Sequence, residues 1–266
     1  MKDNFYHLGF GTTWIGKHWP RNKEYLYPSD SEVHNYFDYV FENIKDRKLL
    51  IDTAREYGNA EIRLGKYFES NPVSFSRAVI CSKFGGSLIR QLLKEKNNGF
   101  RITVEDMVDD FCSSLDKLGR IDIYYSHLIN DVNIKQAITF LRKGEYLAIL
   151  DYWKKIEYGG LKYIGASISN VDILKILVKE KLYTRLDIIQ IPSWMLMKYG
   201  LLLKKLKENG KYIVVNSPVR FNIDNPELDF DVNKCYTDVW GNDNVDVVLT
   251  GSRNHYKDVI SFSSII

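Results

Sequence analysis

The stretch Leu49-Leu-Ile-Asp-Thr-Ala-Arg-Glu-Tyr57-Gly-Asn-Ala-Glu61 joins a strand pattern, a polar turn and the start of a helix. The apolar run Leu49–Ile51 predicts a short strand that ends at Asp52. Residues 60–68 continue with apolar side chains at helical spacing. The segment is therefore predicted to be one strand–helix unit, with Asp52 at the carboxyl end of its strand.

The same unit recurs along the chain, because eight short apolar or β-branched runs alternate with stretches of helical period. The predicted strands are Tyr6–Gly11, Leu49–Asp52, Ala78–Ser82, Ile121–Ser126, Tyr163–Ala166, Ile188–Gln190, Tyr212–Val215 and Val245–Leu249. The predicted helices are Ser31–Lys45, Ala60–Phe68, Val104–Leu118, Ile134–Glu157, Val171–Lys179, Gly200–Asn209, Asp231–Val239 and Asn254–Phe262. Such alternation implies right-handed crossovers and a parallel sheet. Eight repeats favour an α/β fold of the (β/α)8 TIM-barrel type, with residues 1–266 forming a single barrel domain.

Two helix starts carry capping signals. Ser31 is a candidate N-cap, and Thr103 with Asp106 resembles a capping box in which Asp replaces Glu. Gly119 and Gly210 follow predicted helices, where glycine accepts a left-handed backbone at low cost. These local signals agree with the predicted helix boundaries.

Composition narrows the class of protein. Over 266 residues the chain is 45% apolar and 27% charged, which is typical of a soluble globular protein. A net charge of +3 argues against a nucleic-acid-binding protein. The three cysteines, Cys81, Cys112 and Cys235, form neither a disulfide framework nor a zinc motif. No signal peptide or membrane-spanning run is recognised, so we expect a cytoplasmic protein without a membrane partner.

Four polar residues stand at or just beyond the ends of predicted strands: Asp52, Tyr57, Lys83 and His127. The carboxyl ends of barrel strands meet at one mouth. A neighbouring ammonium lowers the pKa of a tyrosine, so Lys83, held by Asp52, is predicted to make Tyr57 a proton donor near neutral pH. His127 is predicted to orient a carbonyl oxygen. None of the four can supply a hydride, so carbonyl reduction would need a nicotinamide cofactor.

Each of these residues also has an ordinary structural interpretation. Asp52 could cap the turn after its strand, and Tyr57 could be an ordinary half-buried aromatic. Lys83 could be a solvated charge at a strand end, and His127 could be a histidine at the barrel rim with satisfied hydrogen bonds. The spacing by itself leaves both interpretations open.

The segment Trp14–Tyr27 is rich in aromatic residues and has little helical period. It follows the first predicted strand and is therefore expected over the barrel mouth. Trp14, Trp19 and Tyr25 are predicted either to line a substrate pocket or to pack this loop onto the barrel. The remaining histidines are scattered, so no metal site is predicted.

Motifs along the chain occur in a familiar order. They are Leu8-Gly-Phe-Gly-Thr12, Ile51-Asp-Thr-Ala-Arg-Glu-Tyr-Gly-Asn-Ala-Glu61, Leu64-Gly-Lys66, Val79-Ile-Cys-Ser-Lys-Phe-Gly85, Ile121-Asp-Ile-Tyr-Tyr-Ser-His127, Leu161-Lys-Tyr-Ile-Gly-Ala-Ser167, Asp187-Ile-Ile-Gln190, Asn216-Ser-Pro218 and Thr250-Gly-Ser-Arg253. Over nearly its whole length the chain resembles the aldo-keto reductases. The resemblance implies a (β/α)8 barrel and NAD(P)H-dependent reduction of an aldehyde or ketone, or oxidation of the alcohol. It also implies the catalytic tetrad Asp52, Tyr57, Lys83 and His127, with Tyr57 as acid and base.

The resemblance further implies binding of NADP(H), with NAD(H) as the alternative. Ser167 and Gln190 match the residues that hold the nicotinamide carboxamide. Arg253 matches an arginine that meets the 2′-phosphate of NADPH, beside a helix N-terminus that can bind the same anion. The other cofactor contacts implied by the resemblance are Gly11, Thr12, Asn216, Ser217, Gly251, Ser252 and Lys257.

The chain departs from the family pattern at several positions. Ile168 replaces an asparagine beside the carboxamide-binding serine, and Asn216 replaces an aromatic that often stacks on nicotinamide. Lys257 and Ser261 align with a glutamine and an asparagine of the last helix. A shortened C-terminal region is also expected, without the long loop that commonly covers the substrate. Without this loop the pocket is either open or closed by a second subunit. An oligomer is therefore an alternative to a monomer.

Two other functions remain open from sequence. One is a nicotinamide-nucleotide-binding sensor or partner subunit with little turnover, which the departures favour and the intact tetrad opposes. The other is a non-redox isomerase or lyase that reuses Tyr57 and Lys83, and it would turn over without a cofactor. The leading hypothesis is an NADP-dependent carbonyl reductase or alcohol dehydrogenase acting on a small molecule.

Overall fold

Eight parallel strands close into a barrel in chain order, with β8 paired to β1. The structure, a computed structural model, describes residues 6–16, 27–44, 46–85, 103–128, 134–218, 232–251 and 256–263. The strands are β1 Leu8–Gly11, β2 Leu49–Asp52, β3 Ala78–Phe84, β4 Ile123–Leu128, β5 Tyr163–Ile168, β6 Ile188–Pro192, β7 Tyr212–Asn216 and β8 Val247–Thr250. The (β/α)8 barrel predicted from the alternating pattern is therefore confirmed.

Helices alternate with these strands through the described part of the chain. They are α1 Thr13–Gly16, α2 Asp30–Asn43, α3 Ala60–Ser70, α4 Pro72–Arg77, α5 Val104–Leu118, α6 Ile134–Lys143, α7 Glu145–Lys155, α8 Val171–Lys179, α9 Ser193–Lys198, α10 Gly200–Glu208, α11 Val232–Trp240 and α12 Tyr256–Ser263. Short 3-10 turns cover Tyr158–Gly160 and Leu182–Arg185. The predicted bounds of α5 and α8 are confirmed, whereas the short helices α1, α4 and α9 were not predicted.

Two helix predictions were wrong in detail. Residues 134–157 were predicted as one helix, but Gly144 adopts a left-handed backbone (φ 62°) and separates α6 from α7. Ser31 was predicted to cap α2, but Ser29 is the N-cap and forms a capping box with Glu32. The capping box of Thr103 and Asp106 at the start of α5 is confirmed.

The barrel has an apolar interior that is separate from the core between strands and helices. Side chains alternate along each strand, so every second residue points into the barrel. The interior apolar layer consists of Leu50, Val79, Cys81, Ile123, Tyr125, Ile188, Tyr212, Val214, Val247 and Leu249. Two residues further along β2, β3 and β4, the same alternation reaches Asp52, Lys83 and His127. The change from apolar to polar residues marks the carboxyl-end mouth of the barrel.

Within the described ranges, no helix combines the length and the apolar character that crossing a membrane requires. The same ranges contain no group of three or more His, Cys, Asp or Glu side chains placed to hold a metal ion.

Candidate active site

Three buried polar residues occupy neighbouring strands at the mouth. Asp52 ends β2, while Lys83 and His127 lie near the ends of β3 and β4. Their exposed fractions are 5%, 2% and 5%, respectively. Because buried charges and dipoles are costly unless they are paired, their partners decide what this site can do.

Asp52 and Lys83 form a buried ion pair. The Lys83 Nζ lies 2.7 Å from Asp52 Oδ2 and donates a second hydrogen bond to the Thr53 carbonyl oxygen at 2.8 Å. Burial by itself lowers the pKa of Lys83, but Asp52 and Tyr57 oppose this effect, and the net pKa lies above its usual value. Lys83 is therefore a charged ammonium at neutral pH, held by Asp52 as the sequence predicts.

The half-buried ring of Tyr57 lies against this ammonium, with its centroid 5.1 Å from Lys83 Nζ. Burial is the largest influence on Tyr57 and raises its pKa. Lys83 lowers the pKa, whereas Asp52 and Glu56 raise it further, and the net result is an upward shift. The net lowering expected from sequence is therefore wrong for this structure, because desolvation outweighs the ammonium. Tyr57 consequently keeps its proton at neutral pH.

The loop that carries Tyr57 is fastened on two sides. The amide and the hydroxyl of Thr12, which is fully buried, both donate to the Asp52 carbonyl oxygen at 3.0 Å. On the other side Arg55 pairs with the buried carboxylate of Asp110 on α5. Thr12, which the resemblance assigned to the cofactor, thus also connects the end of β1 to the end of β2.

Gly16 allows α1 to pack directly on the Tyr57 loop. A Cβ atom at this position would lie 2.0 Å from the Tyr57 carbonyl oxygen and 2.2 Å from the Ala60 nitrogen. The Gly16 carbonyl oxygen also accepts hydrogen bonds from the Asn59 amide at 3.1 Å and the Tyr27 hydroxyl at 2.9 Å. The backbone of this loop is therefore in contact with α1 on a surface that admits no side chain.

Gly16→Ala is expected to lower the free energy of unfolding by about 1–3 kcal/mol, because the added methyl meets backbone atoms that cannot rotate away. Denaturant unfolding measures the change. Gly200→Ala is the matched control, since no atom lies within 4 Å of its added Cβ. That variant is expected to be neutral or slightly stabilising. Equal stability of the two variants would contradict the close contact at Gly16.

Ser167 and Gln190, which the resemblance matches to the nicotinamide carboxamide, are hydrogen-bonded to each other and to Asp52 of the ion pair. The Ser167 hydroxyl donates to Gln190 Oε1 at 2.6 Å, and Gln190 Nε2 donates to Asp52 Oδ1 at 2.8 Å. One chain of contacts therefore runs from Ser167 through Gln190 and Asp52 to Lys83. The barrel thus brings together residues that lie on β2, β3, β5 and β6.

Further predicted cofactor residues also lie at the mouth. Asn216 ends β7, and Ser217 adopts a left-handed backbone (φ 53°) whose carbonyl oxygen accepts from the Ser193 hydroxyl at 2.8 Å. Gly11 ends β1, and Gly251 directly follows β8. Gly251 is exposed, and a Cβ there would meet no atom within 4 Å.

Two predicted residues are engaged elsewhere in the molecule. Trp14 is 9% exposed, and its ring packs against Tyr36 of α2 at 4.8 Å between centroids, which favours the packing interpretation for Trp14 itself. Lys257, on the exposed face of α12, places its Nζ 5.0 Å from the centroid of Tyr39. The predicted residues outside the described part of the chain are Trp19, Tyr25, Ser252 and Arg253.

Two carboxylates with partners on β3 and β4 were not singled out from sequence. Glu56 Oε1 lies 2.9 Å from His127 Nδ1, which links the Tyr57 loop to β4. The buried carboxylate of Glu61, on α3, accepts a 2.7 Å hydrogen bond from Ser82 on β3. The position of Glu56 directly before Tyr57 was the available signal, but its partner lies about seventy positions away along the chain.

Comparison with known proteins relates this geometry to a family. The family model described as the aldo/keto reductase family matches residues 7–229. No curated protein matches the sequence.

Solved structures share the fold at low sequence identity. A protein from Pseudomonas aeruginosa named as an aldo-keto reductase has a TM-score of 0.70 and 20% identity, covering 100% of this chain and 98% of its own. A glycerol dehydrogenase from Gluconobacter oxydans has a TM-score of 0.65 and 17% identity, with 99% and 87% covered. The holo form of an aldo-keto reductase from Bacillus halodurans has a TM-score of 0.64 and 16% identity, with 97% and 85% covered. At these identities the likeness establishes the fold alone.

Proposed function

The chain belongs to the aldo/keto reductase family of carbonyl oxidoreductases, and we propose that it is an NADP(H)-dependent enzyme that reduces an aldehyde or ketone or oxidises the alcohol. The observation that carries this proposal is the buried Asp52–Lys83 pair against the half-buried ring of Tyr57. Preference for NADPH rests on Arg253 in the sequence, because that residue lies outside the described ranges.

The proposed roles follow from the contacts. Tyr57 donates its phenolic proton to the carbonyl oxygen of the substrate and leaves a phenolate. The Lys83 ammonium stabilises that phenolate, and Asp52 keeps Lys83 charged and in place through their 2.7 Å contact. His127, on the neighbouring strand, orients the carbonyl oxygen. Acid catalysis of this kind contributes about 100- to 10,000-fold to a rate.

The residues at the mouth fit the nicotinamide end of the cofactor, which supplies the hydride when it is bound. Ser167 and Gln190 are 4% and 1% exposed, so their polar atoms require partners of matching chemistry. Each retains bonding capacity beyond the contacts described, since the serine oxygen and the glutamine oxygen can accept and the glutamine amide has a second N–H. Ser167 and Gln190 could therefore hydrogen-bond the nicotinamide carboxamide while Gln190 keeps its bond to Asp52.

The raised pKa of Tyr57 keeps its phenol protonated at neutral pH, the form that carbonyl reduction requires. Reduction requires a protonated tyrosine. Burial raises the pKa of Tyr57 by more than Lys83 lowers it. Oxidation of an alcohol requires the phenolate, which this environment disfavours. We therefore propose that Tyr57 acts as the acid when the enzyme reduces a carbonyl near neutral pH.

The proposal is tested by titrating the purified protein with NADPH and with NADH, following cofactor and tryptophan fluorescence. Tighter binding of NADPH and its consumption with members of an aldehyde and ketone panel are expected. Arg253→Ala should narrow the difference between the two cofactors and leave the protein folded, since it removes the guanidinium proposed to meet the 2′-phosphate.

Three outcomes would contradict the reductase proposal. Binding of neither cofactor would show that the departures at Ile168 and Asn216 have disabled the cofactor site. Binding without turnover over a broad carbonyl panel would favour a sensor or partner subunit. Turnover of a substrate without any cofactor would favour an isomerase or lyase that uses Tyr57 and Lys83.

A further inference from the structure

We propose that Glu56 is a positioning residue that holds His127 through its Nδ1 atom, so that the two side chains act as one unit beside Tyr57. The inference rests on the proposed function, since it assigns His127 to the carbonyl oxygen. Glu56 would be a second carboxylate in the site. It contacts His127, whereas Asp52 contacts Lys83.

The contact between Glu56 and His127 connects two separate elements. Glu56 lies in the loop between β2 and α3, whereas His127 lies near the end of β4. Glu56 Oε1 and His127 Nδ1 are 2.9 Å apart, and the two side chains are only 13% and 4% exposed. The atoms are out of line for a hydrogen bond, so the contact is electrostatic. In a poorly hydrated site such a contact is stronger than at the surface.

The chemistry of the two groups assigns the ring nitrogens. An ionised carboxylate can only accept, so Glu56 favours a proton on Nδ1 of His127. The other nitrogen, Nε2, can then donate to a carbonyl oxygen only when it carries a proton of its own. A ring that donated through both nitrogens would be positively charged, and the Glu56 carboxylate would lie beside that charge.

Glu56 also acts on the proton donor beside it. The titratable groups that bear on Tyr57 are Lys83, which lowers its pKa, and Asp52 and Glu56, which raise it. Glu56 also lies beside the ionisable ring of His127. Loss of the Glu56 charge is therefore expected to lower the pKa of Tyr57 and to move the alkaline limit of activity to lower pH. This shift reports the charge of Glu56 beside Tyr57, whereas the contact with His127 needs a separate measurement.

The contact itself is tested without turnover, by ¹⁵N NMR of the histidine side chains. His127→Asn assigns the His127 signals among the five histidines. In the native protein Nδ1 is expected to carry the proton, and Glu56→Gln is expected to change the His127 signals while those of His7 and His34 stay unchanged. Unchanged His127 signals in Glu56→Gln would overturn the proposal whether or not the protein is a reductase.

Kinetics test the positioning role. Glu56→Ala is expected to lower kcat/KM by about 10- to 100-fold, because a small displacement of an orienting group has effects of this size. Glu56→Gln is expected to shift the alkaline limit downward, and Glu56→Asp to restore part of the activity. Glu180→Gln is the matched control. It removes an exposed carboxylate that pairs with Arg142, and Glu180 lies far from Glu56 in the sequence.

Each kinetic outcome bears on one idea. Native kcat/KM and an unmoved pH profile in Glu56→Ala and Glu56→Gln would overturn the positioning role. Absence of cofactor-dependent turnover in the native protein would instead refute the proposed function, and the NMR result would still decide whether Glu56 holds His127.

Discussion

Tyr57→Phe is expected to lower kcat for carbonyl reduction by about 100- to 10,000-fold while cofactor affinity and stability stay close to native. The substitution removes only the hydroxyl group. The ring would keep its place 5.1 Å from Lys83 Nζ, so the buried ion pair retains its neighbour. Steady-state kinetics, cofactor titration and denaturant unfolding measure the three quantities on the same preparation.

Tyr125→Phe is the matched control for this experiment. Tyr125 lies on β4 in the interior apolar layer, and its ring centroid is 5.9 Å from the same Lys83 Nζ. The substitution also removes a phenolic oxygen from a ring near Lys83. Tyr125, however, lies in the interior apolar layer, below the mouth of the barrel. We expect this variant to keep most of its turnover. Equal losses in the two variants would point to general damage, and native activity in Tyr57→Phe would exclude Tyr57 as the proton donor.

The pH dependence of the native enzyme carries a related expectation. Burial raises the pKa of Tyr57 above its ordinary value of 10.0, although Lys83 partly opposes this shift. Reduction requires the protonated phenol, so kcat/KM should stay level through neutral pH and fall only in strongly alkaline solution. A fall attributable to Tyr57 near neutral pH would show that Lys83 outweighs burial in the working enzyme.

Asp52→Asn is expected to lower the free energy of unfolding by about 3–5 kcal/mol and to abolish most activity. The variant leaves the Lys83 ammonium, 2% exposed, without its counter-charge, and breaking one partner of a buried pair has a cost of this order. The amide side chain keeps the size of the carboxylate, so a packing defect contributes little. Denaturant unfolding at neutral pH measures the loss.

A double-mutant cycle with Lys83→Met separates the charge interaction from other effects. The double variant removes both charges. Its loss in free energy of unfolding is expected to be smaller than the sum of the losses in the two single variants. The pKa of Lys83 is raised above 10.5, since Asp52 and Tyr57 outweigh the lowering by burial. Its contribution to stability is therefore fully present at neutral pH and is lost only as the pH rises through that raised value.

Additive losses in this cycle would contradict a direct Asp52–Lys83 interaction. Glu180→Gln again provides a comparison, because the Arg142–Glu180 pair is exposed and screened by water. That variant is expected to unfold as the native protein does. The contrast would show that burial, rather than pairing alone, makes the Asp52–Lys83 contact important.

Local patterns in the sequence predicted much of the fold. The alternation of short apolar runs with helical periods predicted the eight-stranded barrel, and the bounds of β2, α5 and α8 agree with the structure. These features depend on side-chain periodicity and capping within a few residues, which a sequence displays directly. Gly144 shows the limit of this reasoning, because helical periodicity on both sides concealed its left-handed backbone.

The sequence also placed Asp52, Lys83 and His127 at strand ends, and a parallel barrel brings such ends to one mouth. Tertiary structure alone decided which of these groups touch. It joined Gln190 to Asp52 and Glu56 to His127, and it packed Trp14 against Tyr36. It also raised the pKa of Tyr57, where the sequence had indicated a lowering. The physical reason is that desolvation and ångström-scale distances between distant segments depend on three-dimensional packing, which no local pattern encodes.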